Sequence, residues 1–313
     1  MTRKRIIVVG SANQDYLVRV SRAPRRGETV LASGLTKQPG GKGANQAVAA
    51  ARLGGDVYFV GAVGRDDDGA SILRALGQDG VSIDDVRIVD NQPTGLALIS
   101  VEEAGENSIT VVSGANATVT ADQAAAAVSR LAATATAPVD AGTADALVVL
   151  QGELSSEVIE SSVRSASAAG ARVVLNLAPF RAVSADVLAL ADPLILNETE
   201  AGGLLGRPLA DSQAALGALD TLLAGSVSVV ITLGAQGAVW ASSDARGHEA
   251  AVTAADVVDT TGAGDAFVGA LAFALADGCD LGEAVRLGTL GGSFAIRGVG
   301  AQKSYARPAD LGL

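Results

Sequence analysis

From about residue 120 onward, short apolar runs alternate with longer stretches of helical spacing. The runs 146–150, 172–177, 193–196 and 227–233 are rich in Val, Leu and Ile. They read as strands, with helices in the gaps. Strands that are apolar throughout need cover on both faces, and strand–helix alternation favours parallel pairing. The expected fold class is therefore α/β, a three-layer α/β/α sandwich around a mostly parallel sheet. A chain of 313 residues suffices for one large domain of this kind or two small ones. Aromatic residues are 3% of the chain against 49% hydrophobic, so the core falls to Ala, Val, Leu and Ile.

The first 115 residues are less regular. Residues 5–10 read as a buried strand, 10–15 as a polar turn, and 16–20 as a half-buried strand. A turn at 24–27 leads to a strand over 28–36. The glycines at 40–43 open a helix through about residue 51, ended by Gly54 and Gly55. Residues 56–64 are then strand and 66–76 helix. Runs 94–101 and 107–112 read as a hairpin closed over 102–106. The strands 15–20, 28–36, 94–101 and 107–112 do not fit the alternating region. Two pairs about 60 residues apart are expected to meet as one small antiparallel sheet. Residues 132–144, low in complexity, read as a surface loop.

Composition narrows the chemistry. No run reaches 18 apolar residues, which argues against a spanning helix. The apolar run 6–9 is too short for a signal-peptide core. A lone cysteine, Cys279, suits a reducing cytoplasm. A net charge of −11 disfavours nonspecific binding to nucleic acid or anionic membrane. An anionic substrate would then need local help from glycine-rich backbone and a metal ion. The single histidine, His248, lies in a polar stretch with no evident partner and reads as an exposed turn residue. That removes the Ser-His-Asp, Cys-His and multi-histidine zinc arrangements. Acid–base work falls to carboxylates.

The most suggestive carboxylate is Asp265, in Asp259-Thr260-Thr261-Gly262-Ala263-Gly264-Asp265-Ala266-Phe267. A glycine-broken turn precedes a helix there, so N–H groups of 262–265 open a helix N-terminus suited to an anion. A carboxylate beside an anion site makes sense if a hydroxyl must lose its proton while attacking a phosphoryl group. By the residues alone, a first-turn aspartate that favours the helix dipole explains it equally well.

Other clusters carry two readings each. Asn13 and Asp15 with Gly40, Gly41, Lys42 and Asn45 suit a polyol, with carboxylate and amide groups for hydroxyls and glycines for close approach. They also suit an Asx-turn and a helix N-cap. Glu153 follows a strand where open α/β sheets bind ligands, and equally reads as a solvated loop residue. Asn197 and Glu200, three apart after a strand, suit phosphate and Mg²⁺ contact or a capping box. Thr232, Gly234 and Gly237 suit close contact with a nucleotide or a hairpin into 238–242. No G-x-x-x-x-G-K-[ST] occurs, so Lys42 is no P-loop lysine.

The stretch 259–267 resembles the C-terminal signature of the ribokinase-like (PfkB) family of carbohydrate kinases. Gly40-Gly41-Lys42-Gly43-Ala44-Asn45-Gln46-Ala47 resembles its N-terminal signature. The resemblance runs from Gly10 to Ser304. It implies a single kinase domain over 1–313, with a β lid formed by about 13–37 and 92–113 inserted into the α/β body. It implies that ATP is the phosphoryl donor, that Asp265 is the base, and that the amides of Gly262, Ala263 and Gly264 stabilise the transferred group. Asn13, Asp15, Gly40, Gly41, Lys42, Asn45, Glu153 and Asp265 would hold the sugar. Asn197 and Glu200 would serve phosphate and Mg²⁺, while Thr232, Gly234 and Gly237 line the nucleotide site. Relatives activated by a monovalent cation imply K⁺ at Asp259, Thr261, Ala295, Gly298, Gly300 and Ser304. Lys303 stands where those relatives usually carry proline. The lid implies a homodimer. Free ribose is the favoured acceptor: no Lys or Arg lies between Arg87 and Arg130, although Arg19, Arg22, Arg25 and Arg26 lie in the other lid segment. Tyr16 is the lid's only aromatic for stacking a nucleobase. Deoxyribose, another free sugar, a nucleoside, or a binding regulator without catalysis are the alternatives.

Overall fold

Ile6, Ile7, Val8 and Val9 have no polar side to offer water, and all four are at most 1% exposed. They form β1 (Arg5–Val9), an interior strand of the main sheet in the computed structural model, which describes residues 4–102, 107–133, 146–252 and 257–313. The amino-terminal elements that follow are β2 (Asn13–Val20), β3 (Gly34–Gly40), α1 (Lys42–Arg52), β4 (Asp56–Gly64) and α2 (Asp67–Gln78). Next come β5 (Val86–Val89), β6 (Gly95–Glu102), β7 (Asn107–Val112) and α3 (Ala121–Ala133). The alternating region contributes β8 (Ala146–Gln151), α4 (Ser156–Ala168), β9 (Arg172–Asn176), α5 (Ala185–Leu188), β10 (Leu194–Asn197), α6 (Glu198–Leu205) and α7 (Ser212–Leu223). The chain closes with β11 (Ser228–Thr232), β12 (Ala238–Ser242), β13 (Arg246–Glu249), α8 (Ala263–Asp277) and α9 (Leu281–Ala295).

The main sheet has nine strands in the order β13-β12-β11-β10-β9-β8-β1-β4-β5. All pairs from β5 through β11 are parallel, and only the β11–β12–β13 edge turns antiparallel. Alternation along β1 divides the core. Ile6 and Val8 face a cluster with α1, α2, α8 and α9, while Ile7 and Val9 face one with α3, α4 and α7. The expected three layers are present. Chain order reverses at β1: β4 and β5 lie to one side, and β8 to β11 to the other. The crevice beyond the carboxyl ends of β1 and β8 is thus the topological switch point, where such sheets bind ligands.

The small sheet also forms, in the order β3-β2-β6-β7. Its outer pairs, β2–β3 and β6–β7, are antiparallel, and the two are joined by a parallel β2–β6 pair. Register puts Asn13, Asp15 and Gln38 on one face with Ala97 and Ile99, and Tyr16, Lys37 and Leu98 on the other. On that second face the Tyr16 hydroxyl donates to Asp68 of α2, and Lys37 Nζ donates to the Tyr16 hydroxyl at 2.9 Å.

Several boundaries differ from the sequence reading. Residues 28–33 are not strand. β3 starts at Gly34, where pairing with Arg19 of β2 begins, and Leu31 is 90% exposed. The polar turn stops at residue 12, because Asn13 already pairs with Gly40 and Gly95. Ala132 and Ala133 belong to the last turn of α3, where Leu131 and Ala132 are buried; residues 134–144 lie outside the described residues, as do 103–106 of the expected hairpin loop. His248 is exposed, but in edge strand β13 rather than a turn, with Nε2 2.8 Å from the Gln236 carbonyl. Helix α8 begins at Ala263 with Gly262 as its N-cap, where the glycine-broken turn is expected to open it.

Small residues make the helix layer tight. At Gly269 of α8 a Cβ would lie 2.4 Å from the Ala49 Cβ and 2.7 Å from the Gln46 carbonyl of α1. The single tryptophan, Trp240 of β12, fits because Gly247 of β13 and Gly282 of α9 leave its indole room, with Cβ positions 2.8 Å and 2.7 Å from ring atoms. Overpacking of such a contact is expected to cost about 1–3 kcal/mol. Gly269→Ala should therefore lower the urea midpoint of unfolding, and an unchanged midpoint would show that α1 and α8 can separate freely.

Candidate active site

Helix α1 opens at the switch point on three glycines, each crowded by something fixed. At Gly40 a Cβ would lie 2.1 Å from Asp15 Oδ2, and at Gly43 it would lie 2.7 Å from Gly10 Cα. Gly41, the N-cap, has φ 87°, and its Cβ would lie 2.7 Å from the Asn13 nitrogen. No other residue type combines that φ with that closeness. The glycines seat the helix end between β1, β2 and the Asp15 carboxylate.

Glu153, just past β8, reaches across the crevice. Its Oε2 accepts from the Lys42 backbone N–H at 3.0 Å and from the Ser11 hydroxyl. One oxygen of this carboxylate therefore serves a first-turn amide of α1, which has no intrahelical acceptor. Asn13 is held in turn by Asn116, whose Nδ2 donates to Asn13 Oδ1 at 2.8 Å and to the Ala12 carbonyl at 3.1 Å.

Asp265 lies in the first turn of α8, 7% exposed. It accepts from Asn45 Nδ2 at 2.9 Å on Oδ2 and from Gln46 Nε2 at 3.0 Å on Oδ1. Of the turn before it, Gly262 has φ 76°, with Ala301 and the Tyr305 hydroxyl packed where a Cβ would go. The Ala263 N–H donates to the Thr260 carbonyl at 3.2 Å. The N–H groups of Gly264 and Asp265 belong to the first helical turn and have no intrahelical acceptor. Nothing lies within 4 Å of a Cβ built on Gly264, so this end of the helix is open to an incoming anion.

Charge is concentrated here. Burial, then Glu153, then Asp265 push the Asp15 carboxyl from 3.8 up to about 7. Asp265 first, then Glu153 and Glu200, hold the Lys42 ammonium above its usual value despite its burial. Burial likewise raises Glu200, against the Asn197 N–H and Lys42, with Asp265 adding to the rise. Asp15, Lys42, Glu153, Glu200 and Asp265 thus lie within electrostatic reach of one another.

Asn197 and Glu200 form a complete capping box: Asn197 Oδ1 accepts from the Glu200 N–H and Glu200 Oε2 from the Asn197 N–H, both at 2.8 Å. The capping reading is correct. It leaves one oxygen of the buried Glu200 carboxylate outside the box. Parallel register sets Thr232 beside Asn197. Gly234 is exposed with φ 53°, in a short turn of the β11–β12 hairpin. Gly237 answers a packing need, since a Cβ there would lie 1.9 Å from the Glu249 carbonyl. Neither glycine touches the Asp265 cluster.

The Asp259 carboxylate closes a loop of its own. Oδ1 accepts from the Thr261 N–H at 2.9 Å and its hydroxyl at 2.6 Å, and Oδ2 from the Gly300 N–H at 2.8 Å. Burial raises its pKa, but the Thr261 hydroxyl and the two amides outweigh burial and hold it below the usual range. The Ser304 hydroxyl donates to the Gly300 carbonyl at 2.6 Å, and the Ala295 carbonyl accepts from Gly298 at 3.3 Å. The donor set is all oxygen, with one carboxylate kept ionised, which fits a hard monovalent cation. Among the described residues no group of three or more His, Cys, Asp or Glu forms a metal cage. The single Glu200 oxygen left outside the box is a donor of the kind Mg²⁺ takes, an ion that uses few protein ligands.

Sequence reasoning passed over several polar residues: Ser11, Gln46, Asn116, Gln151, Asn176, Gln302 and Tyr305. Only Gln46 had a local signal, as the neighbour of Asn45 in the glycine-rich stretch. The others act at long range, and the Tyr305 hydroxyl is buried behind Gly262 without a hydrogen-bond partner.

The sequence profile of the pfkB family carbohydrate kinases matches residues 3–307. Ribokinase of Haemophilus influenzae is 35% identical over 304 residues, covering 96% of this chain and 95% of the relative. Ribokinase of Schizosaccharomyces pombe is 36% identical over 313 residues, covering 96% and 94%. The solved structure of Arabidopsis thaliana ribokinase complexed with ribose and ATP superimposes with a TM-score of 0.84 at 33% identity, covering 99% of this chain and 98% of that one.

The raised Asp15 has a consequence for stability. Between pH 3.8 and about 7 the folded chain holds a proton that the unfolded chain has released, so its stability falls as pH rises through that window. Asp15→Asn removes this term. The variant should be more stable than the parent at pH 8 by about 1–3 kcal/mol, and the gap should close at pH 4. Urea denaturation at both values checks it; equal stability at pH 8 would mean that the carboxyl is not strained by ionisation.

Proposed function

The chain belongs to the pfkB family of carbohydrate kinases, and from that premise we propose that it transfers the γ-phosphoryl group of ATP to the primary hydroxyl of D-ribose, giving ribose 5-phosphate. The observation that carries this reading is the buried Asp265 carboxylate at an open helix N-terminus, held by Asn45 beside the glycine-rich start of α1. The named relatives, and the ribose and ATP in the Arabidopsis complex, support the choice of substrates.

Asp265 takes the proton of the sugar hydroxyl as its oxygen attacks the γ-phosphorus and ADP leaves. The amides of Gly262, Ala263 and Gly264 stabilise charge on the group in transit, the Ala263 N–H turning from the Thr260 carbonyl it meets without ligand. Asn13, Asp15, the backbone of Gly40 and Gly41, Lys42, Asn45 and Glu153 orient the sugar. Two carboxylates and two carboxamides suit the donor-rich edge of a free polyol. Asn197, Thr232, Gly234 and Gly237 line the nucleotide side. Mg²⁺, which neutralises phosphate charge when bound, would sit by Glu200 and Asn197. K⁺, which would brace the glycine turn, would sit among Asp259, Thr261, Ala295, Gly298, Gly300 and Ser304, with Lys303 exposed beside it.

The whole chain acts as one kinase domain in this reading. Its small sheet is a lid that keeps water from taking the phosphoryl group. Asp15 lies on the face of β2 that serves the site, while Leu35, Leu98 and Val112 on the opposite face are 61%, 47% and 45% exposed. Pairing of two such lids in a homodimer would cover apolar surface of this kind. No helix among the described residues is long and apolar enough to cross a membrane; the lone cysteine supports a cytoplasmic setting. The acidic charge opposes nucleic-acid binding.

A coupled ADP-release assay across free pentoses, hexoses, deoxyribose, nucleosides and sugar phosphates tests the acceptor. Ribose should give the highest kcat/KM; faster turnover of another acceptor would replace it, and no ADP with any would favour a binding regulator. Asp265→Asn should keep sugar binding by calorimetry yet lose about three or more orders of magnitude in kcat, and unchanged turnover would remove it as the base. Exchanging Na⁺ for K⁺ should raise the rate, whereas equal rates would strike the monovalent site from the proposal.

A further inference from the structure

The reacting carboxylate is gripped by a side chain that the proposed chemistry does not use. Gln46 is 1% exposed, on the turn of α1 next to Asn45. Its Nε2 donates both hydrogens: one to Asp265 Oδ1 at 3.0 Å, the other to Asn176 Oδ1 at 3.1 Å. Its Oε1 accepts from Gln151 Nε2 at 2.8 Å. Which end of each amide points where is fixed by chemistry. The Ile195 carbonyl can only accept, so Asn176 offers it Nδ2, at 3.2 Å. Asn176 Oδ1 is thereby turned to Gln46, and Gln151 supplies a donor for Gln46 Oε1. An inverted Gln46 amide would set its oxygen against Asp265 and against Asn176 Oδ1, two acceptors at once. Strands β8, β9 and β10 thus orient one glutamine through main-chain geometry.

Asn45 differs. Its Nδ2 also donates to Asp265, and its Oδ1 accepts from Gln302 Nε2 at 3.0 Å. In the proposed function Asn45 must also serve a sugar hydroxyl, so its hold on the base changes when substrate arrives. Gln46 has no such second duty. On the proposed kinase reading, we infer that Gln46 is a positioning residue for phosphoryl transfer, fixing the rotation of the Asp265 carboxylate through the sheet. Misplacement of a reacting group by about 1 Å can cost a hundredfold in rate.

The experiment pairs kinetics with a substrate-free readout. Gln46→Met keeps the length and removes both donors. With ribose and ATP it should lower kcat between about tenfold and a hundredfold while ribose KM stays within about twofold. A merely structural glutamine would lower thermal stability and active fraction, leaving the kcat per sugar-binding site in place; that result overturns the inference. If the variant does not fold, Gln151→Met removes the donor to Gln46 Oε1 and loosens the amide without inverting it; a loss in kcat of about threefold or more at constant KM supports the inference, while none opposes it. A crystal structure of Gln46→Met, without ligand, should show the Asp265 carboxylate rotated from its present setting; an ordered carboxylate in the same place overturns the inference. That arm holds even if ribose yields no ADP, in which case only the ribose reading fails.

Discussion

Everything in the site depends on how closely two helices approach. Gly269 has no side chain, so α8 can lie against Ala49 and the backbone of α1. Two turns of contact then bring the first turn of α8 to the first turn of α1, where Asn45 and Gln46 meet Asp265. The carboxylate is buried, and a buried carboxylate is tolerable only with donors of this kind. Close packing and the hold on Asp265 are therefore one contact seen at two places along the same pair of helices.

The crevice itself follows from topology. Parallel strands end together, and the reversal of order at β1 opens a gap between the segments after β1 and β8. Glu153 fills that gap by accepting from Ser11 and from the first amide of α1. The site thus gathers several acidic groups around one lysine, and Asp15 shows the strain in its raised pKa. A neutral polyol with many hydroxyl donors suits such a cavity better than an anion would. In the proposed reading the anion would be received at the other side, by amides at a helix end.

Much of this was legible in the sequence because it depended on local pattern. Apolar strand runs, glycines before a helix and Asp265 at its start are all short-range signals, and the layers and the motif placements follow from them. The start of β3 was misjudged because apolar residues 30–32 look like a strand until pairing with β2 fixes where the ladder begins. The strand membership of Asn13 and His248 was invisible for the same reason. The carboxamide network was out of reach altogether: Gln46 meets Asn176, Gln151 and, through Asn45, Gln302 across separations of more than 100 residues. No spacing rule reports such contacts. Asn197 and Glu200 show the converse, since one motif met both a capping rule and a ligand rule, and the capping box it forms leaves part of the carboxylate available.

Near the antiparallel edge of the main sheet, the indole of Trp240 rests on Gly247 and Gly282, two positions without side chains. It is the chain's sole tryptophan. Its emission is therefore a local optical reporter of the seam between β12, β13 and α9, undiluted by any other indole. Movement there can be followed by fluorescence on the unlabelled protein, separately from events at the opposite, glycine-rich mouth of α1.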